Sequence, residues 1–567
     1  MCVSPLADVP PAPSSSPAPA AFGVGESLPV PVPDAQWLPA LAADLVGAGW
    51  TVEDCERVLG SRQMLALRRE QRTPLLQAAR RVGPDSPGAA VALLTRLFVL
   101  GEVLSAAEVE AALPRTTLAG ALALGLVISA QVDPGAAESL YQAACCLSPQ
   151  HLHLHDFWVA SDLTELASGQ RLHADHVLGV GGASGTLAAW TIREAVAGGP
   201  HGRVADVGTG SGIQALAASR HANAVLGTDI SARALDFARF NVALDRAVQQ
   251  CVRDVAAGRG AEQAAPAPIE VALGSLLEPL AGSEFDLIVS NPPFVITPQD
   301  LDLPQMEYRD GGLGGDVLVA QLLAGLPAHL APGGVAQLLA NWEHHAGQDW
   351  SERVAGWLPE GVNAWVIQRE VLDPAEYVEM WLRDGGLDPR TDRAAYEAGY
   401  ERWLADFDRR GVSAIGFGQV ILHRPADTGQ RTWRRLEEAA GLGAPDPAAH
   451  VLLTLRTRER LAQLSNEELA ELTLRRSPDV VEERYYTPGA ADPQLVRLSQ
   501  GGGLARKVVL TTAQSAVVGV CDGELALDTI IAAVAHLLEV PAEDVAAEVL
   551  GQVRTLVEDG LLLLPAG

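Results

Sequence analysis

The apolar positions in the middle of the chain fall into short runs that are separated by stretches with helical spacing. Seven of these runs have the length and composition of buried strands. They lie at 203–207, 223–228, 269–273, 285–290, 335–340, 363–370 and 414–423. Helical patterns at 212–220, 232–244 and 315–330 alternate with them. This alternation predicts an α/β fold with a doubly wound, parallel sheet of seven strands.

The regions on either side of this sheet have a different character. Residues 1–34 are rich in proline, alanine and serine, which is typical of a disordered tail. At 90–127 two helical patterns separated by Pro114 precede an apolar run, and 511–564 repeats this rhythm, so both regions are expected to be winged-helix-like. The expected domains are the tail (1–34), a helical, winged-helix-like domain (35–130), connecting strands (131–171), the sheet domain (172–425) and a second winged-helix-like domain (440–567).

The first candidate site is the segment Asp206-Val207-Gly208-Thr209-Gly210-Ser211-Gly212, which directly follows a predicted strand. Its glycines allow unusual backbone angles and a close approach by a bulky cofactor. The dinucleotide fingerprint G-x-G-x-x-G requires glycine at the position of Ile213, so hydride transfer is disfavoured. Asp229 ends the next strand, where a carboxylate accepts hydrogen bonds from a ribose diol. Together these features predict a nucleoside-containing cofactor.

The second candidate site is Asn291-Pro292-Pro293-Phe294, which also follows a predicted strand. The prolines fix two φ angles and remove two backbone donors, which leaves nearby carbonyl groups free. A free carbonyl and the Asn291 carboxamide oxygen can together accept both hydrogens of a planar NH2 group, and Phe294 can stack on that group. The alternative is a rigid turn after the strand.

With these motifs, 172–423 resembles the class I S-adenosylmethionine-dependent methyltransferases, in the amino-methylating branch that carries an Asn-Pro-Pro-aromatic motif. That branch includes glutamine N5-methyltransferases of release factors, guanine N2-methyltransferases of ribosomal RNA and adenine N6-methyltransferases. The segments 285–294 and 308–315 are most similar to the release-factor type. The resemblance implies a Rossmann-like methyltransferase core, an enzyme, and S-adenosyl-L-methionine as the cofactor.

The resemblance also implies roles for individual residues. The catalytic set is Asn291 and the Pro292 carbonyl, which hold the acceptor NH2 group, with Phe294 stacked on its plane; no general base is required. The cofactor set is Asp206, Gly208, Thr209, Gly210 and Gly212 around the methionine part, Asp229 at the ribose, Ser275 and Leu276 at the adenine, and Asn291. Aspartate often stands in this family where this chain has Ser275.

The charge of the chain bears on the acceptor. The formal net charge is −29 at pH 7, whereas phosphate backbones are bound by clusters of arginine and lysine. The candidate recognition helices of the winged-helix-like regions also carry carboxylates, such as Glu108, Glu110 and Glu548. A protein or peptide substrate is therefore favoured over a nucleic acid, and a docking or structural role over DNA binding for the flanks.

Three functions follow from these features. The favoured one is methylation of a glutamine side-chain amide of a protein. A guanine or adenine amino-methyltransferase acting on RNA or DNA is the alternative that Phe294 and the winged-helix-like flanks support. A degenerate methyltransferase that binds peptides is the third, and the intact Gly208, Asp229 and Asn291 argue against it.

Other segments give weaker signals. Alternate positions of a strand carry His151, His153 and His155, but they are too far apart for all three to bind one metal ion, so no metal site is predicted. The glycine-rich stretch 175–184 is expected to be a mobile lid or a close backbone approach over the cofactor, or a simple loop. A charged helical insertion at about 375–410 is a candidate specificity element, with a solvated elaboration as the favoured interpretation. No cationic leader and no long apolar run are found, so we expect a cytoplasmic protein without membrane spans.

Overall fold

The computed structural model describes residues 27–130, 139–257, 264–298, 312–427, 429–439 and 446–565. Most of the predicted tail at 1–34, and the Tyr308–Gly311 part of the release-factor-like segment, lie outside these residues. The first part of the chain is mainly helical. It contains α1 Leu38–Ala48, α2 Val52–Leu59, α3 Ser61–Leu67, α4 Arg72–Arg80, α5 Ala89–Leu94, a π-helical turn Thr95–Val99, β1 Leu104–Ser105, α6 Ala106–Ala112, α7 Thr117–Ala123, β2 Val127–Ser129 and β3 Leu140–Ala143.

This N-terminal region shares an apolar core with the sheet domain. Strands β1 to β3 form a small antiparallel sheet in the order β1-β3-β2, beside α6 and α7. Apolar residues of α1, with Trp50 and Phe98, pack in one cluster with Phe237 and Phe240 of a long helix that follows the second core strand. Because all four aromatic side chains are fully buried, the region is fixed on the sheet domain. Its winged-helix-like assignment stays a prediction.

A hairpin leads into the central block. The elements that follow in chain order are β4 Cys146–Leu152, β5 His155–Ser161, α8 Glu165–Ser168, α9 Gly182–Trp190, β6 His201–Val207, α10 Ile213–Ala218, β7 Ala222–Asp229, α11 Ala232–Ala257, β8 Ile269–Leu273, a 3-10 turn Glu278–Leu280, β9 Phe285–Ser290, α12 Val317–Gly325, a 3-10 turn Leu326–His329, β10 Leu330–His345, α13 Trp350–Ala355, β11 Asn363–Leu372, α14 Pro374–Asp384, α15 Arg393–Arg410, β12 Val412–His423 and β13 Arg434–Glu438.

The central sheet has the order β13-β11-β12-β10-β9-β6-β7-β8. Strands β6 to β10 are parallel to one another, whereas β12 runs antiparallel to both β10 and β11. The predicted α/β architecture with a largely parallel sheet is therefore confirmed. The predicted count of seven strands is too low by one, because β13 pairs in parallel with β11 at the edge.

The eighth strand has no apolar run that a sequence pattern detects. Its residues are Arg-Arg-Leu-Glu-Glu, and only Leu436 packs against the core of the sheet domain. Distant ionic partners hold the charged residues: Arg435 pairs with Asp559, and Arg506 donates to Glu437 at 2.9 Å. Strand β13 is thus stabilised by contacts with the C-terminal region.

The helical insertion is another correction. Solvation was the favoured interpretation, but α14 and α15 bury Tyr377, Trp403 and Phe407 in one cluster with Val295 and Ile296, which directly follow the Asn-Pro-Pro-Phe segment. Many of the charged residues that give the insertion a solvated composition are exposed, such as Arg393 and Glu397, but Asp406 is buried.

The C-terminal region consists of helices and two small antiparallel sheets, β18-β14-β19 and β15-β16-β17. Its elements are α16 Pro447–Ala462, α17 Asn466–Ala470, β14 Thr473–Arg476, β15 Val480–Tyr485, β16 Leu495–Gln500, β17 Lys507–Leu510, α18 Thr512–Val520, β18 Asp522–Ala526, α19 Leu527–Leu538, α20 Ala542–Glu558 and β19 Leu562–Leu563. Its winged-helix-like character also stays a prediction. Among all helices of the described residues, none is long and apolar enough to cross a membrane.

Candidate functional site

The predicted site residues lie at the carboxyl ends of neighbouring strands of the central sheet. Val207 lies opposite Thr228 of β7 and Ser290 of β9, and Asp229 lies opposite Leu273 of β8. These four parallel strands therefore end at the same level. The glycine-rich loop, Asp229, the Ser275 turn and the Asn-Pro-Pro-Phe segment all start there, as binding loops of open α/β sheets do.

The glycine-rich loop needs its glycines for conformation and for space. Gly208, Gly210 and Gly212 have φ angles of 74°, 54° and 89°, in the left-handed region that side chains rarely adopt. The backbone N–H groups of Gly208 and Thr209 both donate to the Thr228 carbonyl at 2.8 Å, which fixes the loop to β7. A Cβ atom on Gly212 would lie 3.3 Å from the Cβ of Ala238 on α11.

Asp206 lies beneath this loop and is fully buried. Its Oδ2 accepts hydrogen bonds from Thr209 Oγ1 at 2.6 Å and from the Ala215 N–H at 3.0 Å, so it ties the loop to α10. Burial raises the pKa of Asp206 to about 7. In the described part of the chain its Oδ1 has no hydrogen-bond partner. The position supports the loop from below, and direct contact with a cofactor stays a prediction.

Asp229 faces the loop from the next strand. Its Oδ2 accepts from the Gly210 N–H at 2.9 Å and its Oδ1 from the Ser231 N–H at 2.9 Å. Asp229 is half-buried, and a carboxylate oxygen can accept more than one hydrogen bond. The next residue, Ile230, is 65 % exposed. This exposed apolar side chain directly after the strand-end carboxylate was not among the predicted site residues.

The Ser275 turn lies beside Asp229. The Gly274 N–H donates to the Asp229 carbonyl at 3.0 Å, and the Ser275 N–H donates to Glu278 at 3.3 Å. Leu276 has a φ of 45°, which is uncommon for a residue other than glycine. Such strained conformations persist where the surrounding structure requires them, often at ligand sites. The turn that carries Ser275 and Leu276 is thus joined to the end of β7 through the backbone of Asp229.

The Asn-Pro-Pro-Phe segment lies on the other side of the glycine-rich loop. The Ser290 hydroxyl donates to the Val207 carbonyl at 2.7 Å and joins the ends of β9 and β6. A Cβ atom on Gly208 would lie 3.8 Å from the Asn291 carbonyl oxygen, so the two loops approach closely. The Oδ1 atom of Asn291 is buried and has no hydrogen-bond partner among the described residues. A buried, unsatisfied acceptor is costly, and a ligand with a donor group relieves that cost.

Phe294 is only half-buried, and its ring packs against three apolar clusters. Part of the side chain is therefore committed to the core. Its predicted stacking on an acceptor stays a prediction for the remaining exposed part.

Asn241 of α11 supports the site and was not predicted. This fully buried side chain accepts from the Ala160 N–H at 2.7 Å and donates to the Ala160 carbonyl at 2.8 Å. It also donates to the Ser211 carbonyl at 2.8 Å. One carboxamide thus joins the hairpin strand β5, α11 and the glycine-rich loop.

The stretch 175–184 is anchored at its first half. Asp162 accepts from the Val177 N–H at 2.9 Å, and its own N–H donates to the Val177 carbonyl at 3.1 Å. Asp162 is also paired with Arg233, from the first turn of α11. In the second half, the Ser184 carbonyl accepts from Gln214 at 2.7 Å. Its role as a lid over the cofactor stays a prediction.

The three histidines predicted to share a strand lie on either side of a hairpin turn. His151 pairs with Asp156 at 2.8 Å, whereas His153 has a φ of 57° and accepts from Arg193 at 3.1 Å. The His155 ring instead contacts Phe157. The turn separates the three imidazoles, and the described residues contain no cluster of three or more metal-ligating side chains.

Family models match two parts of the chain. Residues 47–137 match a domain of unknown function (DUF7059), and residues 175–291 match the ribosomal protein L11 methyltransferase (PrmA) model. The second match covers the glycine-rich loop, Asp229 and the start of the Asn-Pro-Pro-Phe segment.

Curated relatives match a similar stretch. A release factor glutamine methyltransferase of Xylella fastidiosa strain Temecula1 is 39% identical over 153 residues, which are 25% of this chain and 48% of that protein. One of Geobacter sulfurreducens is 34% identical over 155 residues, 25% of this chain and 47% of that protein. A ribosomal protein uL3 glutamine methyltransferase of Bradyrhizobium diazoefficiens is 32% identical over 141 residues, 23% of this chain and 38% of that protein. The chain thus spans about half the length, or less, of these relatives.

Solved structures give more distant likenesses. A ribosomal protein L11 methylase from Lactobacillus delbrueckii is 22% identical, with 40% of this chain and 70% of that chain covered and a TM-score of 0.17. A SAM-dependent methyltransferase from Thiobacillus denitrificans is 15% identical, with 42% and 88% covered and a TM-score of 0.20. TM-scores this low carry no argument about this chain.

The sequence relatives and the family model agree on the class. The predicted resemblance to class I S-adenosylmethionine-dependent methyltransferases is confirmed, and within that class the chain resembles the glutamine methyltransferases of release factors. The predictions of an enzyme and of S-adenosyl-L-methionine as its cofactor are confirmed at the level of this resemblance.

Proposed function

We propose that this chain is an S-adenosylmethionine-dependent methyltransferase that methylates the side-chain amide of a glutamine in a protein. The observation that carries the proposal is the buried Asn291 Oδ1 atom without a hydrogen-bond partner in the described residues, next to the glycine-rich loop. An amide NH2 group has two hydrogens and needs two acceptors. The Asn291 Oδ1 atom is the first of them, and the Pro292 carbonyl is the second.

These acceptors act by orientation. When both hydrogens are bound, rotation of the amide is restricted and one face of its nitrogen is directed at the methyl donor. Pro292 is buried and, like Pro293, has no N–H, so the segment offers acceptors without competing donors at these two positions. Asn291, the Pro292 carbonyl and the exposed part of Phe294 form the acceptor site in this proposal.

The residues at the strand ends fit the cofactor. Left-handed glycines leave the space above the loop free of side chains, and Asp229 has the lone pairs to accept from ribose hydroxyls. The exposed Ile230 and the strained Leu276 offer apolar surface for the adenine, with Ser275 beside them. S-adenosylmethionine, when bound, would supply a methyl group already activated on a sulfonium, with the neutral thioether as the leaving group. The amide nitrogen would lose its proton to solvent after it has accepted the methyl group, so no dedicated general base is required.

The substrate class is supported by the relatives and by charge. Their names state glutamine methylation of a release factor or a ribosomal protein. The net charge of −29 disfavours binding to the phosphate backbone of a nucleic acid. This support favours a protein amide over the RNA or DNA alternative and over a degenerate binding module. A release factor or ribosomal protein as substrate would place the reaction in the cytoplasm.

Labelled-methyl transfer tests the proposal. The purified chain is incubated with bacterial lysate and S-adenosylmethionine carrying a tritiated methyl group, and samples are then treated with nuclease or with protease. We expect the label to become bound to macromolecules, and to be released by protease treatment but not by nuclease treatment. Label released by nuclease alone would favour the nucleic-acid alternative, and the absence of both transfer and cofactor binding would favour the degenerate module.

A further inference from the structure

The helical insertion binds the backbone just beyond the acceptor segment. The Ile296 N–H donates to the Tyr377 hydroxyl oxygen at 2.8 Å, and Trp403 Nε1 donates to the Ile296 carbonyl at 3.0 Å. Tyr377 and Trp403 come from α14 and α15, and both are fully buried. Both polar backbone groups of Ile296, two residues after Phe294, are thus held by the insertion.

The Tyr377 side chain is itself fixed. Its hydroxyl also accepts from Asn341 Nδ2 on β10 at 3.3 Å. Four aromatic rings surround it, with centroids 5.7 to 6.5 Å away. They belong to Trp381, Trp403, Phe407 and Phe417. Because β10 and the insertion fix the Tyr377 side chain, its hydrogen bond to Ile296 fixes that residue relative to both elements.

A buried ionic network fixes the end of α15 to the sheet. Arg410 pairs with Glu343 of β10 and, at 2.7 Å, with Asp406. Arg353 of α13 makes two hydrogen bonds to Asp316, at 2.6 and 2.7 Å, and Asp316 accepts from the Glu343 N–H at 2.9 Å. Glu343, Asp316 and Asp406 are each less than 10 % exposed, and charges this buried hold their geometry only with such partners. The insertion is therefore a rigid support.

We infer that Tyr377 and Trp403 are positioning residues for the acceptor site, through which the insertion sets the location of Asn291 and Phe294 relative to the glycine-rich loop. The inference rests on the proposed function. Pro292 and Pro293 have no N–H groups, so they cannot donate the backbone hydrogen bonds that normally fix the position of a segment. Hydrogen bonds to the residues that follow them take over this role. A displacement of about 1 Å in an oriented reaction costs on the order of a hundredfold in rate.

The test uses Tyr377→Phe, which removes only the hydroxyl, with Tyr400→Phe as the matched control. Tyr400 lies on α15, and within the described part of the chain its hydroxyl makes hydrogen bonds to residues of the insertion alone, Ala375 and Glu379, at 3.4 and 3.5 Å. Three quantities are measured in the full chain: the affinity for S-adenosylmethionine, hydrogen exchange over 291–298, and methyl transfer to unmodified bacterial release factor and ribosomal protein uL3.

We expect Tyr377→Phe to speed hydrogen exchange over 291–298 and to slow methyl transfer on the order of ten- to a hundredfold, while cofactor affinity stays within about twofold. The control should change none of the three. Transfer at the wild-type rate, unchanged exchange, or an equal loss of cofactor affinity in Tyr377→Phe would overturn the inference. If the wild-type chain transfers no methyl group, the proposed function fails, and the exchange data alone then decide whether Tyr377 positions the segment.

Discussion

Replacement of Asn241 by leucine tests how the glycine-rich loop is held. The substitution keeps the approximate shape of the side chain but removes three hydrogen bonds, two to Ala160 and one to the Ser211 carbonyl. Each buried polar group left without a partner costs roughly 1–3 kcal/mol. Three such groups give an expected loss on the order of 3–9 kcal/mol, a large part of the roughly 5–15 kcal/mol that stabilises a typical domain.

The loss should appear in two measurements. Denaturant unfolding followed by tryptophan fluorescence should show the reduced free energy of unfolding. Titration calorimetry should show S-adenosylmethionine affinity reduced at least about tenfold, because the Ser211 carbonyl belongs to the loop. Asn223→Ala, at an exposed asparagine of β7, is the control and should change stability by less than about 0.5 kcal/mol. If Asn241→Leu lowered the free energy of unfolding no more than Asn223→Ala does, the hydrogen bonds of Asn241 would not support the glycine-rich loop.

Two further predictions concern pH and the loop backbone. Burial, with a contribution from Arg506, lowers the pKa of His450 from 6.5 to about 4. Between these two pH values the unfolded chain binds a proton that the folded chain does not, so the free energy of unfolding falls as the pH drops from 6.5 towards 4. His450→Gln should reduce the loss of unfolding free energy between pH 7 and pH 5 by about 2 kcal/mol, whereas His536→Gln, at an exposed histidine, should leave it unchanged. Gly212→Ala places a Cβ at a φ of 89° and close to Ala238, so thermal unfolding should show a loss of about 1–3 kcal/mol, together with weaker cofactor binding; an alanine variant as stable as wild type would contradict the strained loop geometry.

The sheet and its two loops were predictable because their signals are local. Strands β8 and β9 have the bounds that the apolar runs predicted, and glycine or proline directly marks the loops that follow β6 and β9. Asp229 was identified by its place at the end of a strand. Leu276 was predicted from the family resemblance, and the structure adds its positive φ angle. Ile230 was not predicted, because the exposure of a single apolar side chain after a strand leaves no periodic pattern in the sequence.

The remaining features depend on contacts between distant parts of the chain. Strand β13 is a charged segment whose partners Arg506 and Asp559 come from the C-terminal region. Asn241 resembles any polar residue on an amphipathic helix until Ala160 and Ser211 are brought to it. The insertion looks solvated by composition, and its burial becomes evident only when the aromatic residues of α14 and α15 meet the backbone after Phe294.

Methyl transfer by Asn291→Ala, compared with wild type and Asn223→Ala, is the decisive test of the proposed acceptor site. We expect Asn291→Ala to lose at least about a hundredfold in the rate of transfer to protein, because one of the two acceptors for the amide hydrogens is gone. Its affinity for S-adenosylmethionine should stay within about threefold of wild type, because the glycine-rich loop and Asp229 are unchanged. Transfer by Asn291→Ala at a rate near that of wild type would contradict the assignment of the acceptor site.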